Sequence, residues 1–259
     1  MKPAYVWSQS AWMPGRAGAD AVLQQASPDA AQLQPDMGTF PSRLMRGTSP
    51  ITRALVWTAR DAMRRASVDE CFTVFGSALG ESSIALRQLE MMVTGDGKIS
   101  PTLFKNSVHN TAAGVLSVAD RNRRASTSIA TGELTVASAL LEGMLQLHDG
   151  ASTVVVGVGD EALIQPLSQL GVWPLFAAAW VLRAVPPPHA TVGLEAVVQG
   201  KGDPPGVPED LATHPCRSAF TVLDAVAHRR SGEFVLAVED DACPAVRIRA
   251  HSGGHGAKP

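Results

Sequence analysis

The stretch STSIATGEL, residues 126–134, decides how this chain folds. Small hydroxyl residues around Ile129 predict a short strand, Gly132 predicts a tight turn, and the apolar residues that follow predict a helix over 134–147. A strand-to-helix elbow of this kind presents one side chain at the positive end of a helix. Glu133 holds that position. A carboxylate is stabilised there by roughly 0.3–1 kcal/mol. It is nevertheless a poor nucleophile for acyl transfer, whereas a cysteine would be held as a reactive thiolate.

The bulk composition predicts a packed globular protein. The chain has 259 residues, of which 45% are hydrophobic and 18% charged, which suffices for one large domain or two small ones. A net charge of −2 gives no reason to expect nucleic acid or a membrane surface as a partner. The three cysteines lie far apart, which argues against a disulfide framework or a zinc ribbon. Because no signal peptide or membrane span is evident, we expect a cytoplasmic protein, with no metal or other cofactor.

Strands and helices alternate outward from the elbow. Strands are predicted over 4–12, 71–76, 126–131 and 152–159, and helices over 48–66, 81–93, 102–118 and 134–147. This alternation predicts an α/β protein with a doubly wound, mostly parallel sheet that has helices on both faces. Two further strands, 175–184 and 192–199, are joined by the prolines 186–188 and predict a hairpin on a sheet edge.

The C-terminal part of the chain predicts a small α+β extension. A helix over 217–229 and strands over 233–238 and 245–250 follow a loop rich in glycine and proline. We therefore divide the chain into a domain over 1–200, an extension over 201–251 and a flexible tail over 252–259.

The helix predicted after the elbow is too apolar for an ordinary surface helix. Its polar residues form one narrow stripe of Thr135, Ser138, Glu142 and Gln146, whereas a surface helix needs an apolar arc of only about 100°. Each large apolar side chain left in water would cost about 1.5–3 kcal/mol. We expect the C-terminal residues or a partner subunit to cover this helix.

Four stretches together resemble the N-terminal half of a β-ketoacyl synthase. They are FGSALGE at 75–81, the SP pair at 100–101 followed by SVHNTAAG at 107–114, the elbow strand at 128–133, and the segment from Asp149-Gly150 to GVGDE at 157–161. The resemblance covers roughly residues 1–200 and implies a thiolase-like fold. The family's nucleophilic cysteine falls on Glu133, and nothing like the family's histidine motifs follows, so no catalytic residue is expected in this chain.

The pattern is most similar to the short, chain-length-factor-type subunits of aryl polyene and xanthomonadin-type synthases. This implies a non-catalytic subunit that forms a heterodimer with a full-length ketosynthase in aryl polyene, polyketide or fatty-acid-like chain elongation, and that meets an acyl carrier protein through that complex. In the family, the elbow strand meets its twin across the dimer axis. The residues implied to line the acyl tunnel or the partner interface are Ser107, His109, Asn110, Thr111, Ala112, Val115, Leu116, Ser128, Ile129 and Thr131.

Several alternatives stay open at this point. The chain could be a malonyl-carrier-protein decarboxylase that makes primers, although a glutamate could hold a thioester carbonyl only if its pKa were strongly raised. It could also be a homodimeric scaffold that binds carrier proteins. His109 could be a packed core histidine, and Cys71 reads as a small apolar filler. Two sets of arginines could face an acidic carrier protein or simply solvent: Arg53, Arg60, Arg64 and Arg65, and then Arg121, Arg123 and Arg124.

Overall fold

The computed structural model describes residues 3–95, 97–188, 191–197, 206–237 and 245–251. Its strands are β1 (Ala4–Met13), β2 (Arg16–Ala17), β3 (Phe72–Gly76), β4 (Ser126–Ile129), β5 (Thr153–Asp160), β6 (Phe176–Arg183), β7 (Thr191–Val197), β8 (Gly232–Val235) and β9 (Ala245–His251). Its α-helices are α1 (Ala19–Leu23), α2 (Ser42–Met45), α3 (Pro50–Arg65), α4 (Ser82–Thr94), α5 (Pro101–Lys105), α6 (Thr111–Asp120), α7 (Thr135–His148) and α8 (Ser218–Ala227). The predicted tail over 252–259, Cys243 and the last residues of the predicted strand 192–199 lie outside the described residues.

The strands form one sheet in the order β4-β3-β5-β6-β1-β7-β9-β8, with β2 paired to β1. Within the described residues, β3 is parallel to β4 and β5, and the other pairings are antiparallel. The α/β class is confirmed, but the sheet is mixed rather than mostly parallel. The reason is the link between β5 and β6, which holds a 3₁₀ turn instead of a crossover helix, so that β6 returns in the opposite direction.

The predicted hairpin of the two strands around the prolines 186–188 is wrong. β6 pairs with β1 and β5, and β7 pairs with β1 and β9, so β1 lies between the two strands that were expected to pair. The central strand β6 is buried along almost its whole length, which is not the burial of an edge strand. Pairing with the distant N-terminal strand overrides the local turn signal. Strands on both sides of the predicted boundary at residue 200 share this sheet, and that boundary stays a prediction.

Helices cover both faces of the sheet. Residues of α3 and α6 form one apolar core, and residues of α1, α7 and α8 form the other. Successive residues of a strand point into opposite cores. Val74 and Val156 pack in the core with α1, α7 and α8, whereas Phe75 and Val155 pack in the core with α3 and α6. Gly143 lets α7 approach β5 closely, because a Cβ atom there would lie 2.6 Å from a methyl group of Val156.

Helix α7 packs its inner face against strands β3, β4, β5 and β6. The helix buries side chains that include Val136, Leu140 and Met144 in the core that α8 also joins. On its outer side, however, Leu141 and Leu145 are 42% and 41% exposed. The C-terminal residues therefore leave an apolar stripe of α7 in contact with solvent.

The single helix predicted over 102–118 is broken into α5 and α6. Between them, the Asn106 side chain donates a hydrogen bond to the Arg46 carbonyl at 3.2 Å, and the Ser107 hydroxyl donates one to the Phe104 carbonyl at 2.9 Å. Polar side chains that bond the backbone in this way compete with helix continuation. The break turns the segment that follows back toward the end of β3.

Candidate functional site

The predicted elbow is present at the carboxyl end of β4. Gly132 adopts a φ of +56°, which L-residues with a side chain rarely adopt, and begins a 3₁₀ turn over Gly132–Leu134. The Thr135 hydroxyl closes the turn by donating to the Gly132 carbonyl at 2.7 Å and accepting from the Thr131 amide at 3.1 Å. Glu133 therefore stands just before α7 with its side chain 49% exposed.

The Glu133 carboxylate forms an ion pair with the guanidinium of Arg217, the residue that precedes α8. Both side chains are partly exposed, so the pair contributes only about 0–1 kcal/mol of stability. The pair matters more for chemistry than for stability, because the Glu133 carboxylate at the elbow is bound by the Arg217 guanidinium instead of being free. Arg217 is 84 positions from Glu133 in the sequence.

Beside the elbow, a buried carboxylate joins three segments of the chain. Asp160, the last residue of β5, accepts hydrogen bonds from the Ser77 hydroxyl at 2.7 Å, from the Leu79 amide at 2.9 Å and from the Ala78 amide at 3.0 Å. The Cys216 thiol donates a fourth bond at 3.2 Å. Burial raises the pKa of Asp160, although these hydrogen bonds act in the opposite direction. The carboxylate thus fixes the turn after β3 and the start of the C-terminal extension against the same strand end.

The segment around Cys216 is buried, and its imidazole and thiol groups are uncharged. His214 accepts the Cys216 amide on Nδ1 at 3.0 Å, so Nε2 carries the proton and faces the Asp160 carbonyl at 3.3 Å. Burial lowers the pKa of His214 to about 3, and the imidazole is neutral. Burial, together with the nearby Asp160 carboxylate, raises the pKa of the Cys216 thiol well above its ordinary value. A buried, protonated thiol is not a nucleophile.

His109 contacts the same turn from the other side. Its Nε2 lies 2.8 Å from the Ser77 carbonyl, and its ring packs over Gly80, where a Cβ atom would be 3.1 Å from Cδ2. His109 is thus a packed, hydrogen-bonded histidine in this chain. A continuous set of contacts runs from His109 through Ser77, Asp160 and Cys216 to Arg217 and Glu133.

The other residues expected at a tunnel or interface are divided between the core and the surface. Ala112, Val115 and Leu116 are buried in the chain's own core with α3. Thr111 is also buried, and its hydroxyl donates a hydrogen bond to the Val108 carbonyl at 2.6 Å. The exposed or half-exposed residues of this set are Ser107, Asn110, Ser128, Ile129 and Thr131. Their tunnel and interface roles stay predictions.

Strand β4 forms one edge of the sheet. It pairs with β3 on one side and, among the described strands, has no neighbour on the other. The exposed side chains of Val118 on α6 and of Leu141 and Leu145 on α7 lie on the two helices that contact this strand. The Ser128 hydroxyl is buried without a hydrogen-bond partner in the described part of the chain. An unpaired edge with apolar neighbours is a surface suited to pairing with another chain.

The first arginine set makes contacts within the chain. Arg60 pairs with Asp120 and stacks over the Phe40 ring at 3.6 Å, and Arg64 and Arg65 both bond Asp61. In the second set, Arg124 lies 3.7 Å from Glu70, whereas Arg121 and Arg123 are exposed in the turn before β4. Of the two sets, the second leaves more positive charge available to an acidic partner.

The chain belongs to the β-ketoacyl synthase family, because residues 20–235 match the family described as the N-terminal domain of β-ketoacyl synthases. Among the described helices, none has the length and apolar character needed to cross a bilayer. A search of curated protein sequences gives no match.

Solved structures share the fold at low sequence identity. One chain in the structure of the ketosynthase ApeO in complex with its chain length factor ApeC from Xenorhabdus doucetiae is 19% identical to this chain. The alignment has a TM-score of 0.71 and covers 95% of this chain and 99% of the matched chain. The ishigamide ketosynthase/chain length factor is 16% identical, with a TM-score of 0.66, over 98% and 100%. The AntDE:AntF complex of a ketosynthase with its acyl-carrier protein is 13% identical, with a TM-score of 0.62, over 78% and 70%. The thiolase-like ketosynthase fold is confirmed.

Proposed function

We propose that this chain is a non-catalytic, chain-length-factor-type subunit that pairs with an active β-ketoacyl-carrier-protein synthase. The observation that carries the proposal is the Glu133–Arg217 ion pair at the elbow, the position at which the resemblance to the family leads us to expect its acylated cysteine. The thiol of Cys216, the residue before Arg217, is buried and donates to Asp160. The chain therefore needs the nucleophile of a partner in order to take part in acyl transfer.

The free edge at β4 supports pairing with such a partner. The two complexes of a ketosynthase with its chain length factor share the fold of this chain. The unpaired edge, the exposed leucines of α7 and Val118 of α6 would be covered in such a heterodimer. The partner would also supply the remaining cover that was expected for α7. Carrier proteins would then meet this chain through the complex, with Arg121 and Arg123 beside the covered edge.

A bulky residue at Gly114 tests whether α6 helps to set product length. Gly114 is an exposed helical residue, and a Cβ atom there would meet nothing within 4 Å, so Gly114→Leu adds volume outside this chain's own core. We expect the co-expressed complex to form normally and its products to shift toward shorter chains, as measured by mass spectrometry of the acyl-carrier proteins. Ala31→Leu, which also adds volume at an exposed site, in the 3₁₀ turn over Ala30–Gln32, is the control and should leave product length unchanged. Unaltered products from Gly114→Leu would contradict a tunnel role for this face.

The decarboxylase alternative predicts a different result. Arg217 holds the Glu133 carboxylate as an ion pair, and His109 and His214 already bond backbone carbonyls, so a neutral donor for a thioester carbonyl is not expected. We expect neither the wild-type chain nor Glu133→Gln to release labelled carbon dioxide from malonyl-carrier protein above the buffer background. Release by the isolated wild-type chain would revive the decarboxylase. A stable homodimer that binds carrier protein in light scattering would favour the scaffold instead.

A further inference from the structure

Two buried glutamates lie at the junction of α3, α4 and β5, apart from the elbow. Glu81 precedes α4 and is 5% exposed, and Glu161 follows β5 and is 2% exposed. Glu81 accepts the Thr52 hydroxyl of α3 at 2.5 Å. Glu161 accepts the Ser82 hydroxyl at 2.9 Å and the Ser83 amide at 2.7 Å, both in the first turn of α4. The two carboxyl groups therefore connect the starts of two helices to the end of a strand.

The second oxygen of each carboxyl group is left without a partner. Glu81 Oε2 and Glu161 Oε2 are both buried and have no hydrogen bond within the part of the chain that the structure describes. A buried carboxylate oxygen that accepts no hydrogen bond is costly, whereas a carboxylic acid can donate one. A proton on one of the two carboxyl groups would remove one of the two buried charges.

The charges around the pair cannot balance two carboxylates. The starts of α3 and α4 point at it, and each helix end carries roughly half a positive charge, so together they offset about one negative charge. The other titratable groups nearby are engaged elsewhere: Asp160 bonds Ser77 and Cys216, and His109 bonds the Ser77 carbonyl. On α3, the Arg53 side chain turns to the Thr48 hydroxyl at 3.1 Å. Two like charges in one buried site cannot both be ionised at low cost.

We propose that Glu81 carries a proton in the folded protein below neutral pH, so that the junction of α3, α4 and β5 holds one buried negative charge rather than two. The packing of α3, α4 and β5 at this junction therefore depends on protonation, and this dependence does not rest on the proposed role of the elbow. Loss of the proton leaves two buried charges at the same junction and loosens the first turn of α4.

The direction of the pH dependence follows from the pKa of Glu81. Burial, together with the charge of Glu161, raises this pKa from 4.5 to about 7, although the hydroxyl groups of Ser49 and Thr52 act in the opposite direction. Burial also raises the pKa of Glu161. Because the folded state holds the proton more tightly than the unfolded state, unfolding releases a proton between about pH 4.5 and 7. The stabilisation is therefore complete at low pH, falls through that window and stays low above it.

The test compares the wild-type chain with Glu81→Gln, which keeps the shape and removes the titration. The ratio of folding constants, wild type over variant, is measured by urea unfolding at about pH 5 and pH 8. We expect this ratio to fall by roughly 100-fold over that range. Glu90→Gln, at an exposed glutamate on the same helix, is the matched control and should leave the ratio constant. Glu161→Gln serves as a second variant: it removes only the repulsion between the charges and leaves Glu81 buried, so the ratio should fall less than it does with Glu81→Gln.

Carbon-13 NMR of the glutamate carboxyl groups reads the proton directly. We expect one resonance of the wild-type protein to titrate near neutral pH and to be lost in Glu81→Gln. Titration of all glutamates below about pH 5 would overturn the proposal. So would a stability difference that followed the concentration of potassium or magnesium instead of pH, because a bound cation would then hold the pair.

Discussion

Replacing Asp160 with alanine is expected to lower the free energy of unfolding by roughly 3–5 kcal/mol. The carboxylate accepts four hydrogen bonds from two other segments of the chain, and alanine leaves those donors with no acceptor at a strand end. The loss is larger than that of a surface contact because Asp160 is fully buried. The change should also weaken the hold of β5 on the residues that carry Arg217.

Urea unfolding followed by tryptophan fluorescence measures this loss. Trp173 is a local probe, because its ring meets the edge of His214 and its Nε1 donates to the Glu161 carbonyl at 2.9 Å. Asp149→Ala, at the exposed end of α7, is the matched control and should change stability by no more than about 0.5 kcal/mol. An Asp160→Ala variant as stable as this control would show that the bonds at the strand end contribute little.

A proline at Ser128 is expected to weaken association with the ketosynthase about 100-fold, or about 3 kcal/mol. The carbonyls of Ala125 and Ile129 accept hydrogen bonds from Thr73 and Ser77 on the β3 side, so the backbone of Ser128 faces the free edge. Proline at this position removes a donor from the edge while keeping the bonds to β3, and proline is tolerated on edge strands for this reason. The isolated chain should therefore stay folded.

Ser128→Val separates the backbone effect from the side-chain effect. It removes the same hydroxyl but keeps the amide, so it should bind the ketosynthase nearly as well as the wild-type chain. Affinity is measured by titrating the purified ketosynthase, and thermal melting of each variant alone checks the fold. Equal affinities of Ser128→Pro and the wild-type chain would place the interface away from β4.

Local signals in the sequence predicted the parts of the fold that depend on local structure. The glycine turn and the apolar periodicity fixed α7 to within one residue at each end, and Ser49-Pro50 marked the start of α3. The Ser49 hydroxyl accepts the Thr52 amide at 3.0 Å, as a helix cap does. Such features need only neighbours within one turn, which is why a single sequence reveals them.

The features that sequence reasoning missed all depend on contacts between distant residues. The insertion of β1 between β6 and β7 is decided by pairing across more than 160 positions, and the proline-rich link gave no sign of it. The approach of His214, Cys216 and Arg217 to the elbow was not predicted either. Cys216 lies in a turn without a recognisable motif, and only the fold brings it to Asp160. The same holds for Glu81 and Glu161, which are 80 residues apart.

Intact-protein mass spectrometry of a reconstituted reaction tests the central claim most directly. The purified chain, alone and in complex with a full-length ketosynthase from the same organism, is incubated with acyl-carrier protein and both polypeptides are weighed. We expect the mass of an acyl group on the ketosynthase in the complex and an unmodified mass for this chain in both samples. A covalent acyl adduct on this chain when it is incubated alone would contradict the account.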